Sequence, residues 1–78
     1  MIQDAYNNIA SFLDKTRKPI VESTFKTKLF KAYGISDHPK AEEAYRISVE
    51  LAGKENYYDI LNVLHIIYPL LCERNGNG

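Results

Sequence analysis

Apolar residues recur along this chain at spacings of three and four, the spacing that lines one face of a helix. Ile2, Ala5, Tyr6, Ile9, Ala10, Phe12 and Leu13 form the first such face. Asp4 suits the positive end of that helix, and Lys15, Arg17 and Lys18 suit its negative end. Pro19 breaks the pattern and, being best accommodated in a first turn, is expected to open a second helix. That helix carries Val21, Phe25, Leu29, Ala32 and Tyr33 on its buried face and stops at Gly34, with Ile35 packing back on the last turn. Ser36-Asp37-His38-Pro39 reads as the next start: Ser36 or Asp37 caps, Pro39 enters the first turn, and Glu42 and Glu43 follow where negative charge is favoured. Ala41, Ala44, Tyr45, Ser48, Val49 and Ala52 then give a face of mostly small residues, which predicts close packing against one neighbour before Gly53 ends the helix.

The last segment is apolar around more than half its circumference. Asn56 is expected to cap it with Asp59 as a box-like partner. Tyr57, Ile60, Leu61, Val63, Leu64, Ile67, Tyr68 and Leu71 form the broad apolar face, and Tyr58, Asn62 and His65 a narrow polar strip with Ile66 on its flank. Such a helix is the centre of a bundle or part of an oligomer interface. Pro69 is expected to kink or end it, and Glu73 to Gly78 to form a frayed tail. The fold expected is therefore all-α: a compact single domain of about four short antiparallel helices over residues 1–73, with a flexible C-terminal tail at 74–78. A core of this size supplies only about 3–5 kcal/mol, which makes self-association through the fourth helix a further expectation.

Composition narrows the classes. Forty-five per cent apolar residues in 78 is too many for a disordered chain. One cysteine, Cys72, excludes a disulfide scaffold and a Cys-rich zinc module. No apolar run approaches a membrane span, and the start has no cleavable-signal pattern, so an intracellular, cytoplasmic setting is expected. Ten basic against ten acidic residues argue against bulk electrostatic coating of DNA.

Catalytic chemistry finds little to work with. His38 stands before a helix, where an imidazole caps or faces solvent, and His65 lies on the polar edge of the fourth helix. No HExxH, GxSxG, P-loop or GxGxxG pattern is present, and the Leu71 and Glu73 neighbours of Cys72 raise its pKa. Donors such as Asp37-His38 or Asp59 with His65 are too few for a structural metal site. No catalytic residue, metal or cofactor is expected. Lys28 to Arg46 has the outline of a helix–turn–helix around Gly34. Phe30 stands where a small residue is needed, Lys40 where an apolar one is, and Glu42 and Glu43 would repel phosphate. Nucleic acid is thus a weak candidate partner.

Charge distribution is more informative than net charge. Residues 15–31 hold Lys15, Arg17, Lys18, Lys26, Lys28 and Lys31 against Glu22 alone, a local balance of +5, whereas the third helix offers Glu42, Glu43 and Glu50 with Arg46. Such a dipolar surface is one that steers docking to an acidic partner, a nucleotide or nucleic acid, or is simply two solvated faces. Six tyrosines are the other feature. Tyr6, Tyr33, Tyr45 and Tyr68 fall on or beside core faces. Tyr57 and Tyr58 are adjacent and cannot both point inward, so Tyr58 is expected to be exposed near Lys54 and Asn56, as an aromatic anchor or part of an anion site at a helix start.

Gly34-Ile35-Ser36-Asp37-His38-Pro39-Lys40 through Glu42, then Val49-Glu50, Asp59-Ile60-Leu61-Asn62 and Leu70-Leu71, resemble a family of small helical proteins encoded by bacteriophages. The resemblance covers about half the chain. It departs where Val49 replaces a tryptophan and Ala52-Gly53 stands in place of Gly-His. It implies phage origin and a host-cytoplasm setting, and carries over no activity and no site residues. With no catalytic constellation, the leading expectation is a non-catalytic accessory protein that binds and inhibits or modulates a larger host protein or complex, such as an anti-CRISPR-like antagonist of a defence system. Lys26, Lys28, Lys31 and Tyr58 are its expected contact residues. The alternatives are an oligomeric sponge for a small anionic ligand such as a signalling nucleotide, and a DNA-binding regulator.

Overall fold

The computed structural model describes the backbone of residues 2–76 and the side chains of residues 3–71. It contains four helices in the order α1 (Ile2–Lys15), α2 (Glu22–Tyr33), α3 (Ala41–Ala52) and α4 (Tyr57–Gly76), and no strand among the described residues. α4 is the hub. α3 packs chiefly on it, and α1 lies against both α4 and α2. Phe25 and Leu29 of α2 and Ile60, Leu61 and Leu64 of α4 are fully enclosed, and Ala5, Ile9 and Leu13 of α1 close the core from the side. The Cα radius of gyration is 12.0 Å, close to the roughly 11–12 Å of a compact chain of this length. The all-α bundle expected from periodicity is the observed fold.

The seam between α3 and α4 follows from small side chains. Ala41, Ala44 and Ser48 are buried there, and the Ser48 hydroxyl, fully enclosed, donates to the Ala44 carbonyl at 2.9 Å. At the end of α2, Gly34 adopts φ 66° and ψ 31°. The Ile35 amide donates to the Phe30 carbonyl at 2.9 Å and the Gly34 amide to Lys31 at 3.1 Å, the paired bonds of a Schellman cap. Ile35 is buried beneath it, as the sequence predicts.

Helix starts differ from the sequence expectations. Pro19 does not open α2, which begins at Glu22 after an extended Val21 (φ −75°, ψ 133°). The connection is held instead by Ile20, half-buried, whose carbonyl accepts from the Tyr57 hydroxyl at 3.0 Å. Val21 is consequently 63% exposed, and Phe30 takes a place on the buried face with Phe25, Leu29 and Tyr33. Neither Ser36 nor Asp37 caps α3. No side chain bonds the first amides of α3, and the His38 Nδ1 accepts from the Lys40 amide at 3.0 Å just ahead of it. Asn56 does not cap α4 with its side chain, which turns back to donate to the Ala52 carbonyl at 3.1 Å. α4 continues through Pro69 to Gly76. Pro69 is exposed, on the side where the carbonyl freed by its missing N–H can be hydrated. The side chains of Ile2 and Cys72, and residues Asn77 and Gly78 of the expected tail, lie outside the described residues.

Candidate functional site

α2 sorts the basic residues onto two flanks. Residues 26 and 28 stand about 200° apart on a helix, so they cannot share a face. Lys26 turns toward α3. It ion-pairs with Glu42, and its ammonium lies 5.5 Å from the ring centroid of Tyr45 and 5.7 Å from that of Phe30. Glu22, one turn earlier on the same flank, accepts from the Tyr45 hydroxyl at 3.1 Å. Burial first, and this bond to Glu22 second, push the Tyr45 phenol far above its ordinary pKa. Lys26 and Glu22 are thus occupied in joining α2 to α3.

Lys28 and Lys31 face the other way, toward α1. The Lys28 ammonium stands 5.0 Å from the centroid of Phe12. Together with Asn8, Ile9, Phe12 and Ala32, the two lysines line an open groove of about 370 Å³ between the helices. Lys15, one turn beyond Phe12, and Arg17 and Lys18 in the connection are also exposed. Among the described residues none of these five cations forms an ion pair. With Glu22 and Lys26 both engaged toward α3, Lys28 and Lys31 are the cations of residues 15–31 that line the groove.

Tyr58 is not part of that surface. Its hydroxyl donates to the Asp14 carboxylate at 2.6 Å and lies 3.3 Å from the Ala10 carbonyl, tying the start of α4 to α1. Asp14 stands about 200° from Phe12 around α1, so Tyr58 occupies the flank opposite Lys28. The bond to Asp14 is the main cause that raises its phenol pKa. Tyr58 is 43% exposed, as expected, but its polar tip is engaged. The cavity beside it, about 330 Å³, is lined by Glu55 and Asp59 with Leu13, Ile20, Asn56 and Tyr57. Two carboxylates there oppose an anion, and Lys54 does not line it.

A second constellation had no local signal in the sequence. Tyr33, from α2, shares a 2.7 Å hydrogen bond with Nδ1 of His65 on α4. Tyr6 of α1 meets the same imidazole edge-on at 4.9 Å between centroids and donates its hydroxyl to Asn62 at 2.6 Å. Tyr68 lies 5.1 Å from Tyr33. Burial, then the neighbouring Tyr6 and Tyr68, push the Tyr33 phenol up to about 12. A phenol held protonated this firmly is a poor acid or base near neutrality, and the pair acts as a tie between helices. These partners stand 32 and 56 positions apart. Only the joint presence of tyrosines on three apolar faces and one histidine at an apolar edge hinted at them.

Among the described residues no three His, Cys, Asp or Glu side chains gather as metal ligands, and no helix is long and apolar enough to cross a membrane. The acidic side of the molecule holds a shallow cavity of about 420 Å³ lined by Glu22, Glu42, Glu43, Glu50, Arg46 and Tyr45, among others. There Arg46 pairs with Glu50 at 3.0 Å. No family model, curated protein or solved structure matches the chain.

Proposed function

We propose that this is a non-catalytic binding protein that docks an acidic segment of a larger host protein or complex along the α1–α2 groove and thereby inhibits or modulates it. One observation carries the reading. Lys28 and Lys31 have no acidic partner among the described residues, and together they rim a groove floored by Phe12 and Ile9. An acidic chain meets there both the charge that steers encounter and an aromatic surface that holds it. Lys28 and Lys31 are the contact residues of this proposal. Lys26 and Tyr58 support the fold that presents them. The resemblance of Asp37-His38-Pro39-Lys40 to phage-encoded proteins is what supports a host cytoplasm as the setting of this proposal.

The test is a pull-down of tagged protein from host lysate at low and moderate salt, run beside the double variant Lys28→Glu/Lys31→Glu. Both lysines are exposed and pair with no carboxylate, so the variant keeps its helical circular dichroism. One host protein recovered at both salts by the wild type, and lost by the variant, supports the reading. Equal recovery by both chains overturns it. Recovery of nucleic acid in place of protein, falling steeply with salt, would move the assignment to a DNA-binding regulator.

A further inference from the structure

The two walls of the α1–α2 groove differ in chemistry. α2 contributes Lys28, Lys31 and Ala32, and α1 contributes Asn8, Ile9 and Phe12. One wall is cationic beside a small residue, and the other is mainly apolar. On each helix the lining residues run over four steps, 8 to 12 and 28 to 32, which is about 6 Å of axis. That length admits about two steps of extended chain at roughly 3.3 Å each, and so three consecutive side chains. A docked helix is held by anchors at i, i+4 and i+7, which need on the order of 10 Å of groove. Lys28 also leans across the cleft, with its ammonium 5.0 Å from the ring centroid of Phe12.

We infer that the groove takes an extended acidic segment in which one apolar residue stands between two acidic ones. This rests on the binding proposal above and names the pattern its partner must carry. Successive side chains of an extended chain point to opposite sides, so residues i and i+2 face one wall and i+1 the other. The two carboxylates then meet Lys28 and Lys31, which stand about 4.5 Å apart along α2, against about 6.6 Å between i and i+2. The flexible lysine stems close that difference. The intervening side chain meets Phe12. A carboxylate that draws the Lys28 ammonium aside uncovers the ring for this apolar side chain, so the charged and apolar contacts reinforce each other. Two acidic residues in succession would instead aim one carboxylate at the apolar wall and leave one lysine unmatched. A nucleotide would find only Asn8 to read the edge of its base.

Nitrogen-15 NMR titration of the full chain with end-capped pentapeptides tests this. The probes are Gly-Glu-Leu-Glu-Gly, its isomer Gly-Glu-Glu-Leu-Gly and the neutral Gly-Gln-Leu-Gln-Gly. The alternating peptide should shift the amides of Asn8, Phe12, Lys28, Lys31 and Ala32 and bind about fivefold more tightly than its isomer. The neutral peptide should bind more weakly than either. Lys28→Glu/Lys31→Glu should abolish the shifts, and Lys54→Glu, at an exposed lysine that does not line the groove, should keep them. Equal binding of the two acidic isomers at the groove overturns the alternating pattern and leaves acidic docking standing. Acidic peptides that leave these amides unmoved at millimolar concentration overturn the pattern and the docking proposal together. Tighter binding of adenosine monophosphate at the same amides would reassign the groove to a nucleotide.

Discussion

The Tyr33 hydroxyl lies 2.7 Å from Nδ1 of His65, and this contact joins α2 to α4 across the middle of the bundle. Burial keeps the phenol proton in place, and the hydroxyl donates to Nδ1 when the imidazole carries its own proton on Nε2. Nitrogen-15 NMR at pH 8 should find the Nε2–H tautomer at His65 and lose that preference in Tyr33→Phe. The same substitution is expected to destabilise the fold by about 1–2 kcal/mol in urea melts at neutral pH.

Alkaline pH should loosen the bundle through the same residue. A phenol pushed up to about 12 keeps its proton in the folded state after the unfolded chain has begun to lose it near 10. The folded state then binds more protons, and stability falls as pH rises. The contribution is complete below about pH 10 and fades through about pH 12. Tyr45, raised by burial and by Glu22, acts in the same direction. Urea midpoints between pH 7 and 12 should decline less steeply in Tyr33→Phe than in the wild type. Parallel curves would show that the phenol does not control the alkaline limb.

The two positive-φ glycines should respond unequally to alanine. At Gly34 (φ 66°) an added Cβ meets nothing within 4 Å, so only backbone strain opposes it, about 1 kcal/mol. At Gly53 (φ 103°) the Cβ would come within 2.8 Å of the Asn56 side-chain nitrogen and break its bond to Ala52. A loss of about 2–3 kcal/mol is expected there. Chemical denaturation of the two variants measures the order, and an equal loss would contradict it.

The lysines of α2 should separate in stability as they do in space. Lys26→Ala removes an ion pair and two ring contacts, a loss of about 1 kcal/mol. Lys28→Ala gives up one ring contact, to Phe12, at about 0.5–1 kcal/mol, and Lys31→Ala should change stability by about 0.5 kcal/mol or less. Thermal melts of the three single variants check this directly.

Ser48 sets the distance between α3 and α4. Its hydroxyl bonds only to its own helix, so Ser48→Ala should fall within about 0.5 kcal/mol of the wild type. Ser48→Leu must force the seam apart, at about 1–3 kcal/mol. A tolerated leucine would mean that the close approach of the two helices is not fixed by side-chain size.

Periodicity was sufficient for the helices because their ladders are local and their faces repeat within the chain. The Gly34 stop and the small-residue seam at Ala44 and Ser48 were legible for the same reason. What the sequence misplaced depends on contacts distant in the chain. Val21 looked like a core position until Ile20 was drawn in by Tyr57. Asn56 is the local exception: it looked like a cap, and its amide bonds instead to Ala52, four residues back. Of the expected contact residues, Lys28 and Lys31 share a groove. Lys26 and Tyr58 were legible as polar positions, but their partners Glu42 and Asp14 stand 16 and 44 residues away.

The hydroxyls of Tyr6, Tyr33, Tyr45, Tyr57 and Tyr58 bind over sequence separations from 23 to 56 residues. Helical turns form within microseconds from neighbouring residues, whereas these bonds exist only once the helices have docked. They are expected to form after the transition state and to act on the way out of the native state. Removing such a hydroxyl should hasten unfolding and leave the refolding rate nearly unchanged. The ties thus lengthen the lifetime of a small bundle more than they speed its formation, which sets how long it resists proteolysis under conditions that make every opening an opportunity for cleavage.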